Sequence, residues 1–151
     1  MTRKPLLSTN NYKTLKGEAL GYLTYILYMS PFTQNSKGIN VCSHASKGCA
    51  EACLVGSGFG GMYTGVKAGR VNKTNYFVAQ RQNFLNQLDA EITKAVAKHK
   101  KKNDAIVTIR LNGTSDLPYE NLIVRDGKNI FQLHPKVIFY DYTKNHTRFD
   151  K

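Results

Sequence analysis

Hydrophobic and polar positions fall into blocks along the chain, and several of these blocks carry a definite period. From Leu20 to Met29, Tyr, Leu, Ile and Thr dominate as far as Pro31, the composition of a β-strand stopped by a residue that cannot extend it. From Asn72 to about Lys101 the apolar residues Phe77, Phe84, Leu85, Leu88, Ile92, Ala95 and Val96 recur at three- and four-residue steps among Lys, Gln, Asn and Glu. That spacing predicts one amphipathic helix, capped at Asn72 or Thr74 and broken by Asn103-Asp104. Ala105 to Leu111 is a β-branched run that predicts a second strand, ending in Asn112-Gly113-Thr114-Ser115-Asp116. Val137 to Tyr142 predicts a third strand. Glu120 to Leu133, interrupted by Gly127, fits a short helix or an ordered loop.

Between the first strand and the helix the pattern disappears. Ser30 to Gly69 is rich in glycine, and a loop this long inside a compact domain usually carries function. Residues 1–17 are polar and irregular, so residues 18–151 are expected to form one α/β domain, either complete or a shortened version of a longer one. Alternation of strand, loop, helix and strand argues for βαβ units and a parallel sheet. Right-handed crossovers would put the carboxyl ends of the strands on one edge, where ligands of parallel α/β folds bind. The cysteine loop, Asn112 to Asp116 and Asp141 to Lys144 all fall there.

Composition changes this picture in two respects. With 151 residues, 41% hydrophobic and 21% charged, the chain suits one soluble globular domain. No apolar run approaches the ~20 residues of a membrane span, and no signal-peptide pattern follows the basic N-terminus, so a cytoplasmic protein with reduced thiols and no membrane partner is expected. The net charge of +12 favours a polyanionic partner such as nucleic acid, bound through a basic surface. The block Lys98-His99-Lys100-Lys101-Lys102 equally suits a solvated helix end.

The chemistry concentrates in three cysteines, Cys42, Cys49 and Cys53, spaced C-x6-C-x3-C in one polar loop. An odd count leaves a thiol over after any disulfide. Structural zinc wants four ligands, with His44 the obvious fourth, whereas three ligands leave an open position. Three thiolates also hold an iron–sulfur cluster if a small molecule takes the remaining iron. Buried cysteines acting as small hydrophobes are the bland alternative, against which the polar neighbours Ser43, His44, Ser46, Lys47 and Glu51 speak. Asp116 follows the second strand and suits a turn as well as a functional carboxylate. Asp141 sits among the aromatics Phe139-Tyr140-Asp141-Tyr142, so it needs an exposed strand end or a partner such as Arg110 or Lys144. The run Gly56-Ser57-Gly58-Phe59-Gly60-Gly61 lacks a P-loop ending and suits only close backbone approach to a ligand. Nine tyrosines and seven phenylalanines offer stacking surfaces, most of them better placed in a core.

Taken in order, Gly21-Tyr22-Leu23-Thr24, Asn40-Val41-Cys42, Gly48-Cys49, Ala52-Cys53-Leu54, Lys73-Thr74, Arg110 to Asp116 and Phe139 to Lys144 resemble the phage-encoded gene product 88 family. That resemblance implies a phage protein, acting in the cytoplasm of an infected host cell. The cysteine loop and strand-end motifs are in turn similar to radical S-adenosylmethionine proteins, whose three cysteines are spaced C-x3-C-x2-C. This second similarity implies a partial-barrel-like sheet and a [4Fe–4S] cluster on Cys42, Cys49 and Cys53, with S-adenosylmethionine at the open iron. Asn112, Ser115 and Asp116 would then orient cofactor, and Asp116, Asp141 and Lys144 would act on substrate. Two other readings stand beside it: a zinc-stabilised nucleic-acid-binding module, and a phage inhibitor of a host factor. An open sheet edge near Val137 to Tyr142 would favour pairing with a second copy.

Overall fold

The β-branched runs at Tyr22–Leu27 and Ile106–Arg110 pair in parallel, with Tyr22 opposite Ile106 and Ile26 opposite Arg110. The computed structural model describes residues 4–9, 12–53, 63–100 and 105–149. In chain order the elements are β1 (Leu7–Ser8), α1 (Tyr12–Glu18), β2 (Tyr22–Leu27), α2 (Lys47–Glu51), α3 (Thr64–Ala79), α4 (Arg81–Lys100), β3 (Ile106–Arg110), β4 (Ile123–Arg125), β5 (Lys128–Asn129), α5 (Ile130–Leu133) and β6 (Ile138–Phe139). Short 3-10 turns occupy Tyr119–Asn121 and His146–Phe149.

The main sheet has the order β1-β2-β3-β6. β2, β3 and β6 are mutually parallel, as the α/β alternation predicts, and β1 joins antiparallel. The sheet is mixed and open, and the described residues form no closed barrel. β4 and β5 form a separate hairpin whose turn places Asp126 and Gly127 in the left-handed region. The segment predicted as helix or loop is therefore turn, hairpin and helix in succession. The N-terminal stretch expected to be irregular contributes both β1 and α1. The edge strand predicted over Val137 to Tyr142 keeps only two residues in register.

The predicted long helix is two helices. Gln80 leaves helical geometry at φ −143° and ψ 56°, although no proline or glycine marks the place. The amide of Gln80 still closes α3 on Tyr76 O, and its carbonyl accepts the Phe84 amide that opens α4. The break lets Tyr76 and Phe77 meet Phe84 edge-on, at ring separations of 5.4 and 5.3 Å. Of the residues expected to form the apolar stripe, Phe77, Phe84, Leu85, Leu88, Ile92 and Ala95 are buried and Val96 is partly so. Phe77, Phe84, Leu85, Leu88 and Ile92 pack with Leu27, Val107, Ile109 and Leu111 into one core, and Val96 lies against it. On the opposite sheet face the Thr24 and Thr108 hydroxyls bond to each other at 2.8 Å.

Inside the basic block, Lys98 is exposed but His99 is buried, its Nε2 2.7 Å from Tyr25 Oη. The described part of the run is thus a helix end in which His99 faces inward. Lys101 and Lys102 lie outside the described residues, as does the glycine run from Gly56 to Gly61.

Candidate functional site at the carboxyl edge of the sheet

The chain leaves β2 through Tyr28, Met29 and Ser30 and turns sharply at Phe32, whose φ of 48° is unusual for a bulky residue. Asn35 organises the next turn by accepting from the amides of Lys37 and Ile39. Asn40 then accepts from the Cys42 amide at 2.8 Å, an Asx turn that presents the first thiol. Ser46 caps α2 by accepting from the Cys49 amide, which places Cys49 in the first turn. Cys53 follows the end of that helix. All three cysteines are free and half-buried.

This loop docks on the loop that follows β3. The Asp116 amide donates to Val41 O at 2.8 Å, and Cys42 Sγ lies 3.9 Å from Thr114 O. Close approach is possible because residue 113 is glycine: a Cβ there would stand 2.8 Å from Leu27 O and 2.6 Å from the Ile26 side chain. Burial pushes the Cys42 thiol pKa up; Cys53, Asp116 and Cys49 push it the same way through their charge, while a backbone contact from Phe32 works in the opposite sense. The three thiols and Asp116 therefore share one electrostatic neighbourhood. They do not form a closed ligand set: among the described residues, no three His, Cys, Asp or Glu side chains gather closely enough to hold a metal ion. His44 is exposed and its Nδ1 faces Ser43 Oγ at 3.0 Å.

The remaining predicted residues are brought to the same edge and are extensively hydrogen-bonded. Buried Asn112 donates through Nδ2 to Leu117 O and to Asp141 Oδ2, and its Oδ1 accepts from Ser115 Oγ and the Leu117 amide. Asp141 also accepts from the amides of Asn112 and Tyr142. Burial raises the pKa of its carboxyl, against the opposing effect of these bonds and of Arg110. The Arg110 guanidinium is 3.8 Å from Asp141, too far for a hydrogen bond, and covers the Tyr142 ring at 4.7 Å. Asp116 accepts from the Lys144 amide and from Arg148 Nη1, and Arg148 also grips Glu120 through Nε and Nη2 at 2.7 and 2.8 Å. Lys144 thus meets Asp116 through its backbone and is itself exposed.

One residue at this edge carries no signal in the predicted pattern. Arg70 lies in α3, within the stretch expected to be glycine loop. Its guanidinium lies over the Tyr28 ring at 5.3 Å and within the electrostatic reach of Cys53. Its Nε and Nη1 are buried with no hydrogen-bond partner. The helical spacing of Arg70, Thr74 and Phe77 would have extended the buried stripe back to it. Thr74 is wholly buried and accepts from the Ser30 amide, fixing this face of α3 to the end of β2.

Together these features define a mixed α/β protein with a three-thiol loop laid over the carboxyl ends of its parallel strands. The chain belongs to the gene product 88 family, whose model matches residues 5–151. No curated protein and no solved structure matches it.

Proposed function

We propose that the protein holds a thiolate-bound metal or iron–sulfur centre on Cys42, Cys49 and Cys53, with a small-molecule ligand taken at the open position beside it. The observation that carries this reading is the shared neighbourhood of the three half-buried thiols, anchored through Cys42 to the loop after β3. The donor set suits a thiophilic centre, and an exposed five-residue helix bearing Cys49 is a small element to draw inward. Uptake of metal must displace the Cys42 proton, because only the thiolate ligates. When bound, a three-thiolate centre supplies one vacant coordination position. The chain's own contribution is to fix Cys42 by the Asn40 turn and to hold the strand-end loop through Asn112, Ser115 and Asp116. Asp141 and Lys144 are then positioned to orient a ligand from the other side. A [4Fe–4S] cluster with S-adenosylmethionine is one form of this reading and rests on motif similarity; zinc is the other.

Anaerobic purification followed by iron, sulfide and zinc analysis is the test. The expected result is near-stoichiometric metal that is lost when the three cysteines are changed to serine. A wild-type protein that carries no metal and takes up neither iron with sulfide nor zinc would overturn the proposal.

A second reading is favoured by the net charge of +12 together with exposed Tyr140 and Tyr142 beside Arg110. Stacking aromatics next to cations suit single-stranded nucleic acid. It expects binding that weakens steeply between low and physiological salt and that falls in a Tyr142→Ala variant. Salt-insensitive or absent binding to a single-stranded oligonucleotide would remove it.

A further inference from the structure

The guanidinium of half-buried Arg70 has no carboxylate partner among the described residues. Its Nε and Nη1 have no hydrogen-bond partner. Arg110 Nε is likewise without a hydrogen bond but has Asp141 at 3.8 Å, whereas Arg148 is engaged by Asp116 and Glu120, and Arg125 by Asp89 and Asp126. Buried guanidinium groups ordinarily find acceptors, because taking a charge out of water without one is unfavourable. The charges that act on Arg70 are those of Tyr28 and Cys53, and the carboxylates at the sheet edge and beside Lys73 are engaged elsewhere. Asp116 receives Lys144 and Arg148, Asp141 receives Asn112 and Tyr142, and Glu91 receives the amides of Leu6 and Leu7. Lys73, nearly one turn along α3, adds a like charge, its own Nζ tied to Leu6 O at 2.5 Å. Arg70 and Lys73 therefore put two cationic side chains on α3, the first within electrostatic reach of Cys53 in the thiol loop.

We infer that Arg70 receives an oxyanion, a carboxylate or phosphate group, of a small molecule bound at the cysteine edge of the sheet. The inference deepens the reading of that edge as a ligand site but does not depend on which metal, if any, the thiols hold. A planar guanidinium suits such groups better than a point charge does. The Tyr28 ring steadies its plane, and the contact from Thr74 to Ser30 steadies the helix that carries it. Because the two nitrogens are shielded from solvent, an acceptor reaches them only as neighbouring side chains give way, a demand smaller for the terminal group of a small molecule than for the backbone of a nucleic acid.

The test is titration calorimetry with inorganic phosphate and, separately, acetate, on wild type, Arg70→Met, Arg70→Lys and the triple cysteine-to-serine variant. One of the two probes should bind wild type, at least tenfold more weakly to Arg70→Met and several-fold more weakly to Arg70→Lys. The triple cysteine variant should keep the anion while losing metal, which separates the two proposals. Equal affinity in wild type and Arg70→Met, or no binding of either probe to wild type, overturns the inference. Should Arg70→Met fail to fold, Arg70→Lys decides: a folded variant binding both probes as tightly as wild type has the same consequence.

Discussion

Asn112 and Asp141 carry opposite electrostatic consequences although they share a hydrogen bond of 2.7 Å. Asn112 uses its amide in full, and Asn112→Ala should strand the Leu117 amide and Asp141, costing about 1–3 kcal/mol in urea unfolding. Asp141 has a folded pKa raised above its ordinary value by burial. A raised carboxyl favours its protonated form in the folded state, so its stabilising effect is present at low pH and is lost as pH rises through the shifted pKa. Wild type should therefore lose stability relative to Asp141→Asn across that rise, measured as the difference in unfolding midpoint at matched pH. A constant difference would show that Asp141 titrates as an ordinary carboxylate. Gly113 is needed for space rather than for backbone freedom. Gly113→Ala forces a Cβ onto Leu27 O and the Ile26 side chain and should destabilise by about 1–3 kcal/mol, read by chemical denaturation.

At the scale of elements, the chain around residues 138–149 is held at the sheet edge by side chains rather than by strand pairing. β6 pairs with β3 over two residues only, and Arg148 then bridges Asp116 and Glu120. Arg148→Ala leaves two carboxylates without their cation and should cost about 1.5–3 kcal/mol, with early exchange of the Lys144 amide. Unchanged protection of that amide would show the clamp to be dispensable. The strands at Tyr22–Leu27 and Ile106–Arg110 were legible because β-branched and aromatic residues cluster there. The start of α3 was not, because Gly65 and Gly69 read as loop although neither meets anything within 4 Å in the helix. The break at Gln80 was equally silent, since it is imposed by Phe84 packing between two aromatic partners and not by a helix-breaking residue. The clustering of thiols drew attention to the cysteines; Arg70 was reachable only through helical spacing with Thr74 and Phe77, and Arg148, whose partners lie 28 and 32 residues away, had no local signature.

For the whole molecule, the thiol loop, the loop after β3 and α3 converge on one edge of the sheet. The Cys42 thiol, held protonated by burial, must release its proton on metal uptake. Zinc affinity should consequently rise with pH, and calorimetry in two buffers of different ionisation enthalpy should detect proton release. A pH-independent affinity would point to ligands other than Cys42. Among the described residues no helix is long and apolar enough to cross a membrane.

The parallel pairing of β2 with β3 also governs how the chain reaches this arrangement. Thr24 and Thr108 meet across 84 residues, so the central register closes late, after the local contacts of α3 and α4 have formed. Until it closes, the loop after β3 has no seat for Cys42, and three thiols circulate in an uncommitted chain. Their odd number means that any disulfide closed within the chain at this stage leaves one thiol over, open to reaction with another chain. Refolding yield should therefore depend on reductant far more than the stability of the finished protein does. The vulnerable interval of this protein is its assembly.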